Sequence, residues 1–269
     1  MKMYYSILTI LFLALSMFAQ RTNPGSAVEL AEITERGRML YSYDQAAWHS
    51  TDAVLALSPP KDSFERYVAQ EKDGRWIVAY GKLNAARDKF LISYEAKQGA
   101  TPKDFTVTKL DPAKVDTGFN LLASLAVDLA TKDFGTVNRP YNVAVLPAKS
   151  KQFYVYLLPA QTKVGVFPLG ADVRYLISAD GSKIVEKRQL HKSVIEFAPP
   201  AESTPQMGYH IAILDDIPED TDVFHVLARQ PSIPEWVVTN KYVYQVKPDG
   251  SVIYVMTREA FLKIGKPSN

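Results

Sequence analysis

The sequence predicts an α+β protein in which a few helices pack on antiparallel sheet. Helical spacing of apolar residues is confined to a few segments, whereas most of the remaining chain alternates apolar and polar residues with the period of a β-strand. The strand segments are joined mostly by short turns. Short turns favour antiparallel pairing, because a parallel crossover needs a dozen or more residues.

The composition is that of a globular protein with an ample core. The 269 residues are 47% hydrophobic and 22% charged and include no cysteine. These values exclude a disordered, collagen-like or disulfide-stapled chain. The formal net charge of +2 gives no support for a nucleic-acid partner, which would require a basic surface.

The first residues have the three-part pattern of a secretory signal peptide. Lys2 supplies the positive start, residues 4–18 form a nearly unbroken apolar run, and Ala19 provides a small residue for cleavage. We therefore expect residues 1–19 to be removed and the protein to be periplasmic or secreted in a bacterium. No later segment reaches transmembrane length, so no membrane span is expected after cleavage.

Two regions are predicted in the exported chain. Residues 20–140 contain a helical segment and a β-meander, and residues 141–269 form a larger antiparallel β-rich region. The linkers near residue 140 are short, so a single continuous domain is equally compatible with the sequence.

The first element is a helix over residues 26–57. Ser26 opens it with a capping-box pattern, and apolar residues recur at helical spacing behind it. Gly37 weakens a helix, so separate helices over 26–42 and 45–57 are an alternative.

An antiparallel meander and a central helix follow. Asp73 and Gly74 form a hairpin turn between alternating segments. The predicted strands of the meander cover residues 66–70, 76–83, 89–97 and 105–110. Residues 118–133 carry an apolar stripe with helical period and should form an amphipathic helix that lies across a sheet.

Strands dominate the rest of the chain. Asp180-Gly181 and Asp249-Gly250 mark two further hairpin turns. The predicted strands cover residues 141–147, 153–159, 173–178, 183–191, 194–197, 209–214, 222–228, 236–239, 242–246 and 251–256. A short helix over 259–264 ends the pattern.

One candidate site emerges from the histidines of this C-terminal sheet. If residues 209–214 and 222–228 pair as a symmetric hairpin, His210 lies opposite His225, and the apolar residues of both strands share the other face. Directly opposed Cβ atoms are ~4.5–5.5 Å apart, which lets two imidazoles share a metal ion. Asp222 and His191 are candidate third ligands, and the cofactor would be a divalent metal such as zinc.

The sequence supports two functions. The first is an exported, non-enzymatic binding or accessory module of the bacterial envelope or medium, with an unidentified envelope or extracellular ligand. The alternative is a metal-dependent hydrolase that uses the sheet histidines. The chain contains no nucleophile elbow, zinc-binding His-Glu-x-x-His helix, phosphate loop or dinucleotide fingerprint, so no other enzyme class is indicated.

Overall fold

The computed structural model describes residues 23–198 and 205–264 and confirms the α+β class. The predicted signal peptide, residues 1–19, lies outside the described residues. Within the described ranges, no helix has both the length and the apolar character needed to cross a membrane. The elements in chain order are α1 (Ala27–Leu55), β1 (Arg66–Lys72), β2 (Arg75–Leu83), β3 (Phe90–Gln98), β4 (Phe105–Asp116), α2 (Phe119–Phe134), β5 (Tyr141–Pro147), β6 (Phe153–Pro159), β7 (Phe167–Leu169), β8 (Val173–Ile177), β9 (Ile184–Gln189), β10 (Ile195–Phe197), β11 (Gly208–Ile211), α3 (Asp220–Ala228), β12 (Glu235–Val238), β13 (Tyr242–Val246), β14 (Val252–Thr257) and α4 (Arg258–Ile264).

The first helix is continuous and does not break at Gly37. Ser26 caps it, since its hydroxyl accepts a hydrogen bond from the Glu29 amide at 3.2 Å. Gly37 instead marks the place where α3 approaches. A Cβ at this position would lie 2.4 Å from Cβ of Val223 and 2.6 Å from the carbonyl oxygen of Asp220. The missing side chain therefore sets how closely α3 can pack on α1.

The predicted meander is confirmed. Strands β1 to β4 form one antiparallel sheet in sequence order, and the Asp73-Gly74 turn joins β1 to β2 with both residues at positive φ. Helix α2 follows it, as the apolar stripe predicts. The main core includes α1, the meander, α2 and strands from beyond residue 140. The division of the chain near residue 140 stays a prediction.

The remaining strands form more than one sheet. Strands β5, β6, β8 and β9 make an antiparallel sheet in that order, and β7 pairs with β10 in a separate two-stranded sheet. Strands β11 to β14 form a further four-stranded sheet with its own small core, to which Leu30 and Ile33 of α1 contribute. Helix α1 therefore contributes to both cores.

The predicted hairpin of residues 209–214 and 222–228 is wrong. Residues 222–228 belong to α3, and β11 pairs in parallel with β12, so α3 is the crossover between two neighbouring parallel strands. Acidic residues begin this helix, with Glu219 as the N-cap and Asp220 and Asp222 in the first turn. Glu219 and Asp222 form a capping box, in which the Asp222 carboxylate accepts a hydrogen bond from the Glu219 amide at 2.7 Å.

Candidate metal centre

Three buried side chains from three separate elements meet at one point. His191 follows β9, His210 lies on β11, and Asp222 lies in the first turn of α3. The Nε2 atom of each histidine is 3.1 Å from Oδ1 of Asp222, and all three atoms lie within 4.8 Å of one another. Tetrahedral ligands at ~2.0–2.1 Å from a zinc ion are about 3.4 Å apart, so the arrangement has the dimensions of a metal site.

Each histidine is oriented by a second carboxylate on its other ring nitrogen. Nδ1 of His191 is 2.8 Å from Oδ1 of Asp172, and Nδ1 of His210 is 3.0 Å from Oε1 of Glu235. A proton held on Nδ1 by the carboxylate leaves the lone pair of Nε2 for a metal. Such carboxylate–histidine pairs are the usual outer partners of metal-binding imidazoles.

The three converging atoms share a second property. Nε2 of His191, Nε2 of His210 and Oδ1 of Asp222 are all buried and have no hydrogen-bond partner among the described residues. At 3.1 Å the two nitrogens are in electrostatic contact with Oδ1 of Asp222, without the alignment of a regular hydrogen bond. Buried polar atoms are nearly always paired, so three neighbouring atoms without partners indicate a shared ligand. The other oxygen of Asp222 caps α3, which leaves Oδ1 for that ligand.

The local charge also favours a divalent cation. The chain of contacts joins the carboxylates of Asp172, Asp222 and Glu235 to a single guanidinium, that of Arg229, which is fully buried and 2.6 Å from Glu235. With neutral histidines, three negative charges against one positive charge leave a formal charge of −2. A divalent ion would cancel it, and an uncompensated buried charge is costly.

Without a metal, protons take over this compensating role. Burial disfavours a charged imidazolium, but the attraction of Asp172 and Asp222 outweighs it and raises the pKa of His191 well above the usual value. The same competition, with Asp222 as the main attracting charge, raises the pKa of His210 to about 9. The two imidazoles hold the pKa of Asp222 far below the usual range despite its burial. Metal binding would therefore displace protons.

The predicted cross-strand pair of His210 and His225 is corrected by the fold. His225 lies on α3, one turn beyond Asp222, and its nitrogens are outside the converging group. Its ring packs edge-on against Phe197, and Nε2 is 3.5 Å from a nitrogen of Arg229. Burial and the Arg229 charge lower the pKa of His225 to about 4, so it is neutral at physiological pH. The predicted third ligands, His191 and Asp222, are the side chains that meet His210.

Three important residues were not identified from the sequence, namely Asp172, Glu235 and Arg229. Asp172 directly precedes β8, and its carbonyl oxygen accepts a hydrogen bond from the Leu190 amide, so the end of the β8–β9 pair places it beside His191. Gly208 lies against Glu235 in the folded protein. A Cβ at Gly208 would lie 2.1 Å from the Glu235 carboxylate, so this glycine provides the space for it.

A small pocket of about 50 Å³ opens beside the two histidines. This volume holds one or a few water molecules. Its walls are mostly apolar and include Leu169, Ile195, Ile211 and Ile213. The three converging atoms could hold one cation with two nitrogens and one oxygen, and the two histidines border the pocket. No protein-family model, curated protein or solved structure matches this chain.

Proposed function

We propose that the protein is a metal-dependent hydrolase with a single divalent ion, such as zinc, held by His191, His210 and Asp222. The observation that carries this proposal is the convergence of three buried ligand atoms without hydrogen-bond partners. Two histidines and one carboxylate form the ligand set of several hydrolytic zinc sites, which keep the fourth position for water or substrate.

The surroundings favour a reactive centre over a closed structural one. Structural zinc sites have four protein ligands, whereas the described residues supply three, and the pocket adjoins them. The same ligand set also suits iron(II) oxygenases, which need additional open positions for oxygen and substrate. A pocket of about 50 Å³ favours the simpler arrangement, in which one water occupies one position.

The chemistry would depend on the metal-bound water. A zinc ion lowers the pKa of its water from 15.7 to about 7 and so supplies hydroxide at neutral pH, and it also polarises a bound carbonyl oxygen. The role of the protein is to hold the imidazoles in the correct tautomer through Asp172 and Glu235. The described pocket walls contain no carboxylate. The metal hydroxide is therefore the nucleophile in this proposal.

Metal analysis tests the centre directly. We expect the chain from residue 20 onward, purified without a histidine tag, to retain about one divalent ion per molecule. His191→Ala, His210→Ala and Asp222→Ala should each abolish retention. His49→Ala and His225→Asn are matched controls that should retain it, because neither residue belongs to the converging group. Retention by Asp222→Ala would contradict the proposed ligand set.

Turnover separates the two functions that the sequence supports. Hydrolysis of 4-nitrophenyl acetate that is lost with a chelator and restored by one equivalent of zinc would support the hydrolase. A tightly held metal without chelator-sensitive turnover of esters, peptides or glycans would favour the predicted non-enzymatic binding module instead.

The cellular location belongs to the same proposal. The apolar run at residues 4–18 supports export to the bacterial periplasm or medium, where an envelope or extracellular ligand would be met. N-terminal sequencing of the protein recovered from the periplasm tests this, with Gln20 expected as the first residue. Recovery of the intact chain in the cytoplasm would contradict it.

A further inference from the structure

We infer that the substrate of this centre is an extended polypeptide, which binds as an added strand along the free edge of β11. The inference rests on the proposed hydrolase function and concerns its substrate class. It starts from the position of His210, which is both a ligand of the metal site and a residue of an edge strand.

The hydrogen-bond pattern of β11 shows which backbone groups are available. The amides of Gly208 and Ala212 donate to β12 and its flanking residues, at 2.8 and 2.9 Å. Backbone groups alternate along a strand, so His210 also faces β12, whereas Tyr209 and Ile211 direct their N–H and C=O groups to the opposite side. Among the described strands, none pairs with β11 on that side. Unpaired groups of this kind are the template for strand addition.

The side chains beside this edge suit an extended chain of apolar character. Tyr209, Ile211 and Ile213 are 70%, 52% and 48% exposed, and Ile195 across the pocket is 47% exposed. Among the described residues of the pocket wall, Lys192 is the only lysine, arginine or carboxylate. A phosphorylated or strongly acidic substrate would find little complementary charge here.

The size of the pocket supports the same substrate class. A pocket of about 50 Å³ accepts a reacting group but not a whole small molecule, since pockets that hold a whole small-molecule ligand usually measure ~300–1,000 Å³. The rest of the substrate must therefore bind outside the pocket. Residues 210–213 form one wall of the pocket, so a chain that pairs with β11 would run along that wall. One peptide carbonyl can then reach the metal.

The reaction would be hydrolysis of a peptide bond. The metal-bound hydroxide forms a new C–O bond with the carbonyl carbon, and the C–N bond breaks. The remaining proton of the original water passes to the leaving nitrogen, so the products are one carboxylate and one amine. Water is the only co-reactant, and no electrons are exchanged.

The test compares two substrates in the zinc-loaded protein. Casein serves as an unfolded polypeptide probe, and chelator-sensitive hydrolysis of 4-nitrophenyl acetate reports on the metal centre alone. Ile211→Pro removes one N–H from the free edge, where an edge strand tolerates proline. We expect the ratio of casein cleavage to ester hydrolysis to fall about two- to tenfold, the equivalent of one lost hydrogen bond in binding.

Amide hydrogen exchange provides a second readout that needs no variant. Excess casein should slow exchange at the amides of Tyr209 and Ile211. The amide of His210 is the internal control, because it already faces β12. If Ile211→Pro loses its metal or its fold, this measurement on the unchanged protein decides the question.

The possible failures are distinguishable. Ester hydrolysis without casein cleavage, or unchanged exchange at Tyr209 and Ile211, overturns the polypeptide substrate and leaves the hydrolase proposal intact. A preference for emulsified lipid esters would show that the exposed apolar side chains beside β11 bind lipid. That result would also overturn the polypeptide substrate. Loss of both metal retention and all turnover would refute the proposed function, and the inference with it.

Discussion

At the scale of single residues, Asp222 connects folding to chemistry. One of its oxygens completes the capping box of α3, and the other points at the two imidazole nitrogens. The same side chain therefore fixes the start of the helix and presents an oxygen to the proposed metal site. Because it is buried and acidic, its charge must be balanced by protons or by a metal in every state of the folded protein.

The outer carboxylates should tune metal affinity. Asp172→Asn keeps the size of the side chain but removes the charge that orients His191. We expect the dissociation constant for zinc to rise about 10–100-fold, as for other outer-shell changes. A competition titration against a chromogenic chelator measures this. Asp52→Asn, an exposed change on α1, is the control, and equal affinities for the two variants would contradict the orienting role.

Stability of the metal-free protein should fall as the pH rises. The folded-state pKa of His210 is raised from 6.5 to about 9, so its stabilising contribution is complete below pH 6.5 and is lost toward pH 9. Glu219 acts in the same direction at a lower pH, since burial raises its pKa from 4.5 to about 8. We expect a loss of roughly 1–3 kcal/mol from His210 between pH 6.5 and 9.

Urea unfolding with a chelator present measures this loss at the two pH values. His210→Asn should reduce the pH dependence above pH 8, where the contribution of Glu219 has ended and that of His191 continues. An increase in the stability of the metal-free protein between pH 6.5 and 9 would contradict this prediction. With zinc bound the decline should be smaller, because the metal replaces the protons.

At the scale of elements, most helices and strands follow from the sequence, whereas α3 does not. The segment 222–228 is a short, mainly apolar run that only His225 interrupts after Asp222, and a run of this length fits a strand or a helix equally well. The acidic residues at the start of this segment are the signal that favours a helix over a strand. Glu219 with Asp222 is a helix-start pattern, whereas the predicted hairpin places Asp222 at the start of a strand.

The candidate site was predicted only in part for the same reason. His191, His210 and Asp222 were named from residue chemistry, but the geometry used to join His210 to His225 depended on the hairpin. Asp172 and Glu235 reach the histidines through contacts between distant segments. No local spacing in the sequence encodes such contacts, so the outer carboxylates could not be identified before the fold was known.

Gly37 offers a test of element packing. Helix propensity alone predicts that Gly37→Ala stabilises the protein by up to about 1 kcal/mol. The structure predicts the opposite, because the new Cβ would lie 2.4 Å from Val223 and force α3 away from α1. We expect a net destabilisation of about 1–3 kcal/mol, together with weaker zinc binding through displaced Asp222.

Urea unfolding and chelator competition measure the two effects. Glu35→Ala, an exposed change on the same helix, should leave both nearly unchanged. A more stable Gly37→Ala protein would show that the contact between the helices is loose.

At the scale of the whole molecule, the site joins parts that have separate cores. His191 and Asp172 lie at the end of the β5–β6–β8–β9 sheet, and His210 and Glu235 belong to the sheet of β11 to β14. Helix α1 contributes apolar residues to both cores. A metal ion at this position would therefore link the two sheets directly.

Metal binding should consequently stabilise the entire fold. At a free zinc concentration of 100 times the dissociation constant, the free energy of unfolding should increase by about 2.7 kcal/mol. Thermal unfolding with and without zinc measures this as a shift of the midpoint. His191→Ala should abolish the shift although it keeps two ligands, and His49→Ala should retain it. A shift that survives His191→Ala would place the binding elsewhere.

The parallel crossover from β11 through α3 to β12 has a consequence for the order of assembly. Residues 208–238 contain His210, Asp222 and the orienting Glu235, so these three side chains belong to one continuous strand–helix–strand unit. His191 and Asp172 come from the end of a different sheet. Folding of the strand–helix–strand unit therefore assembles one half of the proposed site, and docking of the other sheet adds His191. The presence of metal at that docking step determines whether the step proceeds with the ion enclosed or with protons in its place.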